Sequence, residues 1–333
     1  MTPGIDNIVG IYRLHTGQKN YATPLLFKTY AQWSFLQQKA FDYLIWSTLA
    51  HALEFSVALL CWLWIFPITF SEANEWHFKW VSRVFLYNLA CEFIFYSFWH
   101  YMTQSRRSPY AQGPLHEKKF NPNNPYEEKG QHHLSREMTF TTLGWLQSAF
   151  VQCVFMWLWA SGRLPYYSDF WSRPFFSIFI ILCVGLWREF HFYWIHRFMH
   201  PWWSVQNGLR QGDIGAFLYR HVHSLHHQSR NPGPWSGLSM HPVEHFFYYT
   251  CAYFPLLFAC HPLHFLFTKF HADISPIGGH DGHDKPGGGS DFHYLHHAFF
   301  ECNYGTPLMN FDRVFGTYKE FVKKPSTTNG HKD

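Results

Sequence analysis

The sequence predicts an all-α, integral-membrane helical bundle: about four spans, a re-entrant or interfacial hairpin, and a cytosolic helical cap holding a histidine-rich dimetal site. Three observations predict it. Four apolar stretches approach the roughly 20 residues that cross a bilayer. Aromatic residues make up 21% of the 333-residue chain and charged residues only 14%. The usual charged share is roughly 25%, so charge cannot coat this chain as it coats an ordinary globule. Finally, 25 histidines are present, and most recur in spaced boxes rather than singly.

The apolar stretches run over 43–70, 84–102, 140–160 and 175–195. Polar residues inside them, such as His51, Glu54 and Glu92, are expected to face the bundle interior, because lipid offers them no partner. Burial in a large soluble protein is the alternative, but four such stretches with Trp-rich ends fit a bilayer better. Loop charge orients them. Arg13, Lys19, Lys28 and Lys39 precede the first stretch. Arg106, Arg107, Lys118, Lys119, Lys129 and Arg136 crowd segment 103–138, whereas loops 71–83 and 161–174 carry two basic residues each. The alternation predicts a cytosolic N-terminus and a cytosolic start to everything after His196.

A fifth stretch, "FFYYTCAYFPLLFACHPLHFLF" at 246–268, contains Pro255 and Pro262. Proline in a helix interior costs about 3 kcal/mol or more. A single span would also separate the histidine boxes across the membrane, so two short helices forming a hairpin are expected. "NPNNPYEE" at 121–128 reads as a turn-rich loop, "GGHDGHDKPGGGS" at 278–290 as a flexible connector, and 321–333 as a disordered tail. The domain reading is therefore 1–134 as an N-terminal membrane region, 135–320 as the catalytic domain and 321–333 as the tail.

Other classes fit poorly. A net charge of +4 is too small and scattered for a nucleic-acid reader. Seven cysteines without a C-x-x-C read as reduced core residues, not a disulfide frame. The first forty residues show no signal-peptide pattern, so no cleaved leader is expected.

Sixteen histidines fall between His196 and His297. "HRFMH" gives His196 and His200, "HSLHH" gives His223, His226 and His227, and "HYLHH" gives His293, His296 and His297. "HPVEH" gives His241 and His245, and single histidines stand at 271, 280 and 283. Positions i, i+3 and i+4 share one helix face, so each box aims at least two imidazoles at one place. Neutral imidazole is the commonest protein ligand for first-row metals. Eight or more nitrogens exceed what one ion accepts, which argues for two. Without metal, so many imidazoles would repel when protonated and leave nitrogens unpaired when neutral. Zinc, copper, iron and nickel all suit histidine sites. "HPVEH" matches the H-x-x-E-H pattern of one zinc protease class, yet Pro242 suits a helix start better than an interior. Haem would need only one or two of these side chains. Lone His51, His77, His100 and His261 read as core or interface residues.

The order H-x-x-x-H, H-x-x-H-H, then H-x-x-H-H after a hairpin resembles the membrane-bound fatty acid hydroxylase/sterol desaturase superfamily over roughly 135–320. "FHFYWIHRFMH", "HSLHHQSRNPGPW", "HPVEH" and "HYLHHAFFECNYGTPLMNFDRVFGTY" carry the resemblance, and "FFECNYG" with "NPGPWSG" looks most like sterol C-5 desaturases. The resemblance implies an endoplasmic-reticulum enzyme with a histidine-bound pair of iron ions. It also implies use of O2 and of electrons from NAD(P)H through a separate cytochrome b5 and its reductase, since no such domain is attached. The implied metal ligands are His196, His200, His223, His226, His227, His293, His296 and His297, with His241, His271 and His280 added. His221, His245 and His283 stand outside this set, and Glu189, Glu244 and Asp273 are candidates to orient imidazoles. The implied substrate is a sterol or other apolar lipid. The alternatives within the superfamily are C-4 methyl sterol oxidation and fatty-acid or alkyl-lipid hydroxylation. A metal-binding or transport protein and an inactive lipid-binding relative are the alternatives of another class.

Overall fold

The structure, a computed structural model, describes residues 51–104, 130–202, 212–229, 232–281, 290–307 and 309–319, with single residues at 33, 34, 37, 40 and 43. His283, the tail and most of the basic residues used to orient the spans lie outside the described residues.

The described residues are helical, and no strand occurs among them. Three helices are long and apolar enough to cross a membrane: α1 (Ala52–Phe70), the apolar part of α3 (Gly130–Ala160), and α4 (Pro174–Phe198). The expected span over 84–102 lies within a 27-residue helix, α2 (Phe78–Gln104). It has the length but is not apolar enough to stand with the other three, because Lys79, Arg83, Asn88 and Glu92 interrupt it. Its buried residues recur every fourth position, at Trp80, Val84, Asn88, Glu92 and Tyr96, one stripe of a helix. Leu86, Phe93, Ile94 and Phe98 point outward and are exposed.

Pro67 shapes α1. A proline in mid-helix removes one hydrogen bond and crowds the preceding turn. Here the turn just before it, Cys61–Ile65, widens to π geometry, a common remedy for such a local conflict.

Beyond α4 come α5 (Ile214–His221), a 3₁₀ segment His223–Gln228, α6 (Pro242–Tyr249), α7 (Pro262–Ile274), a single turn α8 (Ile277–His280), α9 (Ser290–Phe299) and α10 (Phe311–Phe315). The apolar stretch 246–268 breaks at its prolines. α6 runs out into short 3₁₀ turns at Thr250–Ala252 and Phe254–Leu256, and α7 restarts with Pro262 as its first residue. His241 and His261 precede the prolines that open α6 and α7. Each lends its ring nitrogen Nδ1 to the backbone N–H two residues on, at 3.2 Å, satisfying a helix-start donor that would otherwise lack a partner.

Every residue of α7 is buried, so this helix is the axis of the bundle rather than a lipid-facing span. Hydroxyl and amide groups pin the long helices to the segments behind it. Tyr96 donates to the Asp273 carbonyl (2.7 Å), Gln104 to that of Asp281 (2.8 Å), and Thr141 to that of Trp235 (2.7 Å). Phe155, Trp159, Phe265 and Phe270 are among the side chains filling the apolar core beside α7. The seven cysteines are free thiols.

Candidate metal centre

Two groups of buried histidines converge. His196, His200, His223, His227 and His296 form the first, and His226, His280, His293 and His297 the second. Within each group the potential ligand atoms all lie within 4.8 Å of one another. Both H-x-x-H-H boxes feed both groups. His223 and His227 go to the first and His226 to the second; His296 goes to the first, and His293 and His297, one turn apart on α9, go to the second. The first box is a 3₁₀ segment rather than the α-helix its spacing suggested, a tighter form found in short runs. Rings of His226 and His297 are 4.7 Å apart, and those of His227 and His296 are also 4.7 Å apart, so the repeated boxes face each other directly.

Two close approaches set the first group. α5 packs onto the end of α4 at Gly215, where a Cβ would fall 2.0 Å from the His200 carbonyl oxygen. Asp213 caps α5, accepting from the Ala216 N–H at 3.1 Å, and its other oxygen accepts from the Trp202 N–H at 2.9 Å. The turn carrying His200 is thereby clamped to the helix that leads into the first box.

The nitrogens show what the groups can hold. Nδ1 of His196 lies 2.7 Å from the Tyr304 carbonyl, Nδ1 of His296 2.7 Å from that of Cys302, and Nδ1 of His280 2.8 Å from that of Pro276. A carbonyl only accepts, so each Nδ1 carries the proton and each Nε2 presents a bare lone pair. Each of those lone pairs faces the Nε2 of at least one further imidazole. Nε2 of His227 lies 3.1 Å from that of His296, 3.0 Å from that of His223 and 3.3 Å from that of His200. Nε2 of His196 lies 3.1 Å from that of His223. In the second group Nε2 of His280 lies 3.3 Å from those of both His226 and His297. One N–H cannot bridge three neighbours. A cation with ligands at about 2.1 Å satisfies all of them, because such ligands stand roughly 3 Å apart. The donor sets therefore fit two first-row metal ions.

Glu244, on α6, lies 2.7 Å from Nδ1 of His223 and is buried. With a metal on Nε2, the Nδ1 proton is donated to this carboxylate, the arrangement that fixes a ligand's tautomer. Burial pushes the Glu244 carboxyl well above its ordinary range. Burial first, and the neighbouring imidazoles second, hold His200, His223, His226, His227, His293, His296 and His297 well below the ordinary histidine value. Burial brings His280 to about 4. The rings are thus neutral and ready to ligate across the physiological range.

Nine of the eleven histidines expected as ligands stand in the two groups. His241 does not; it is the helix cap described above. His271 does not either. It lies on α7 with Nδ1 3.8 Å from Glu54 and its ring 4.1 Å from that of His51, although it lines the same cavity as the metal groups. Of the residues kept outside the set, His221 is exposed against Phe217. His245 is buried, reaching the Leu238 carbonyl at 2.8 Å and filling the space a side chain on Gly144 would need. Asp273 orients no imidazole of either group; it accepts from Ser148, Tyr249 and Lys269.

The loop after α9 is the part sequence reasoning missed. Its carbonyls at Cys302 and Tyr304 set the tautomers of His296 and His196. Phe300 and Asn303 adopt left-handed φ of 66° and 54°, unfavourable for most side chains but tolerated by asparagine. The Asn303 side chain holds the turn by bonds to the backbone of Phe292 and Lys319. Asp312 accepts from the Tyr304 and Gly305 N–H groups, each at 2.8 Å, and from the Thr317 hydroxyl at 2.7 Å. The signal was the cluster "ECNYG" with a cap-like "NFD" downstream, but nothing in it says which carbonyl meets which ring.

Fold and site together define an all-helical protein with candidate membrane spans, built round a double histidine cluster. Residues 180–317 match the fatty acid hydroxylase family. Rat lathosterol oxidase is 28% identical over 210 residues, which cover 59% of this chain and 64% of that protein. A Delta(7)-sterol 5(6)-desaturase of Gibberella zeae is 28% identical over 156 residues, 45% of this chain and 38% of that one. A very-long-chain aldehyde decarbonylase of Oryza sativa subsp. indica is 28% identical over 180 residues, 50% and 60% respectively. The chain thus spans less than two thirds of the length of each of these three relatives. No solved structure matches. These matches show the resemblance to the fatty acid hydroxylase/sterol desaturase superfamily and, within it, to sterol C-5 desaturases.

Proposed function

We propose that this protein is a membrane-bound, O2-dependent oxidoreductase that desaturates or hydroxylates an apolar lipid, with a sterol as substrate and C-5 desaturation as the specific reaction. The observation that carries the reading is the convergence of imidazole nitrogens in two buried groups opening on one largely apolar cavity. That cavity, of about 210 Å³, is walled by Phe192, Ile195, Met199 and Met240 beside His196, His223, His226, His280 and His293. The resemblance to sterol enzymes selects the substrate class.

Two iron ions held by these groups supply oxidation of an unactivated C–H bond by O2, which zinc, lacking redox chemistry, does not. The chain's own residues do the rest. The apolar wall excludes water and receives the lipid. Glu244 and the Tyr304, Cys302 and Pro276 carbonyls hold the outer protons of the ligands and so keep the inner nitrogens unprotonated. The exposed apolar faces of α1, α3 and α4 support a cavity beside lipid, with the outer face of α2 as the fourth span of this reading. This reading keeps 135–320 as the catalytic unit, a separate cytochrome b5-type donor, and an endoplasmic-reticulum membrane with the site on the cytosolic side.

Expression in a yeast strain lacking its C-5 sterol desaturase, followed by sterol profiling, tests it. Restored Δ5 sterols are the expected result. An unchanged profile, with iron bound, would move the substrate to 4-methyl sterols or fatty acids. Purified protein without any transition metal would overturn the oxidative reading altogether.

A further inference from the structure

Arg188 is a buried cation that the metal centre does not use. Only 5% of it is exposed. It lines the same cavity, and the carboxyl groups of Glu189 and Glu54 act on its charge. One guanidinium nitrogen donates to the Tyr248 hydroxyl, which itself donates to the Ala272 carbonyl at 2.8 Å. Its Nε meets no hydrogen-bond partner among the described residues. A buried charge is costly unless its donors are met, so this guanidinium is held in place with hydrogen-bonding capacity left over.

Its position relative to the histidines is fixed by one side chain. Arg188, Phe192 and His196 follow one another at four-residue intervals on α4, a single helix face. The Phe192 ring stands 4.8 Å from the Arg188 guanidinium carbon and 5.1 Å from the His196 ring. A molecule lying against Phe192 can therefore touch the cation at one end and the metal ligands at the other.

We propose that Arg188 is the specificity residue of the cavity: it binds a neutral hydroxyl or carbonyl oxygen of the lipid and sets the oxidised carbon only a few bonds from that oxygen. The oxygen is neutral because acidic groups already surround the site. Glu189 lines the cavity and Glu54 stands behind His271, so an anionic head group would meet repulsion. The short reach across Phe192 suits a hydroxyl on the first ring of a sterol with reaction in the neighbouring ring. It does not suit oxidation in the middle of a long acyl chain. The inference rests on the lipid-oxidase reading above but not on the sterol assignment.

The test uses the full-length, iron-loaded protein in lipid nanodiscs and two probe pairs: a hydroxysterol with the same sterol lacking its hydroxyl, and a fatty alcohol with the matching alkane. Binding is read as thermal stabilisation, and KM and kcat are measured where turnover occurs. The wild type should prefer the oxygenated member of one pair by roughly ten- to a hundredfold, the worth of a hydrogen bond to a charged group. Arg188→Gln should erase that preference through KM, with iron content unchanged, and Arg188→Lys should restore part of it. Tyr248→Phe, which keeps the charge but removes its tether, should weaken the preference and covers the case in which Arg188→Gln does not fold. An unchanged preference in these variants, or none in the wild type, overturns the proposal. Sterol turnover with such an unchanged preference would spare the sterol reading and sink this one. An Arg188-dependent preference confined to the fatty alcohol would do the reverse.

Discussion

The histidine centre and the knot around Lys269 are both buried polar clusters in an apolar bundle, and they differ in whether they complete themselves. Lys269 reaches Asp273 at 2.5 Å and Glu92 at 3.1 Å and also bonds the Asn88 side chain. Asp273 takes two further donors, Ser148 at 3.0 Å and Tyr249 at 2.5 Å. Opposite charges and hydrogen bonds close this knot from within, save for one Glu92 oxygen, Oε2, that meets no donor among the described residues. The histidine groups set imidazole nitrogen against imidazole nitrogen instead, and among the described residues Nδ1 of His200, His227 and His297 meets no hydrogen-bond partner. A cluster that satisfies itself is a fold element. A cluster of neutral imidazoles whose ring nitrogens face one another can hold cations.

The comparison breaks most visibly at His227, whose Nε2 approaches three others. His227→Ala should abolish turnover and remove the first ion, while membrane insertion and helix content remain wild-type. Metal analysis beside circular dichroism checks this. His297→Ala should do the same to the second ion. Full activity in either variant would contradict the ligand assignment.

Acid separates the two clusters next. A histidine held neutral in the fold but free to protonate when unfolded binds fewer protons folded than unfolded. Its contribution to stability is therefore present above the ordinary value of about 6.5 and is lost as pH falls below it. For His280 the loss continues down to about 4. Metal-free protein should accordingly melt at lower temperature with each step below pH 6.5, and metal should oppose this until protons displace it. A flat melting profile from pH 7 to 4.5 would show that the rings are not buried neutral.

Lys269→Met attacks the closed cluster. Removing one member of a buried ion pair costs about 3–5 kcal/mol, because Glu92 and Asp273 are left facing each other. Denaturation in detergent should report a loss of that order, whether or not metal is present. Changing all three to apolar residues of similar volume should recover much of it. The contrast is in the readout: Lys269 variants lose stability first, His227 variants lose metal first. Glu244→Gln belongs between them. It should weaken metal binding by roughly 10- to 100-fold, the usual cost of losing a carboxylate that orients a ligand, with little change in the fold.

The metal-binding cluster was more legible in the sequence than the closed one, for a physical reason. Ligating imidazoles must repeat at helical spacing, so "HSLHH" and "HYLHH" announce themselves. An ion pair between Glu92 and Lys269 joins residues far apart in sequence, and no local pattern marks it. Spans were readable where apolar composition is dense, as in α1 and α4, and less so in α2, where the buried stripe of Asn88 and Glu92 dilutes it. The Pro255 and Pro262 breaks were legible because proline acts locally. The orienting carbonyls of Cys302 and Tyr304 were not, because every residue has a carbonyl and only the turn at Asn303 decides where two of them point.

His241 is the smallest and sharpest case. In "HPVEH" the resemblance implies His241 as a ligand and Pro242 suits a helix start, and in the fold the His241 Nδ1 accepts from the Val243 N–H at 3.2 Å. A nitrogen that caps a helix is occupied, and His241 is not among the atoms gathered in either group. His241→Asn retains a capping side chain and removes the imidazole, so it should keep both ions and wild-type stability. His241→Ala removes the cap and should cost about 1 kcal/mol, again with both ions retained. His261, which caps α7 by the same contact, is the internal control: His261→Asn and His261→Ala should show the same pattern. Loss of an ion from His241→Asn but not from His261→Asn would make His241 a ligand that leaves its cap when metal binds.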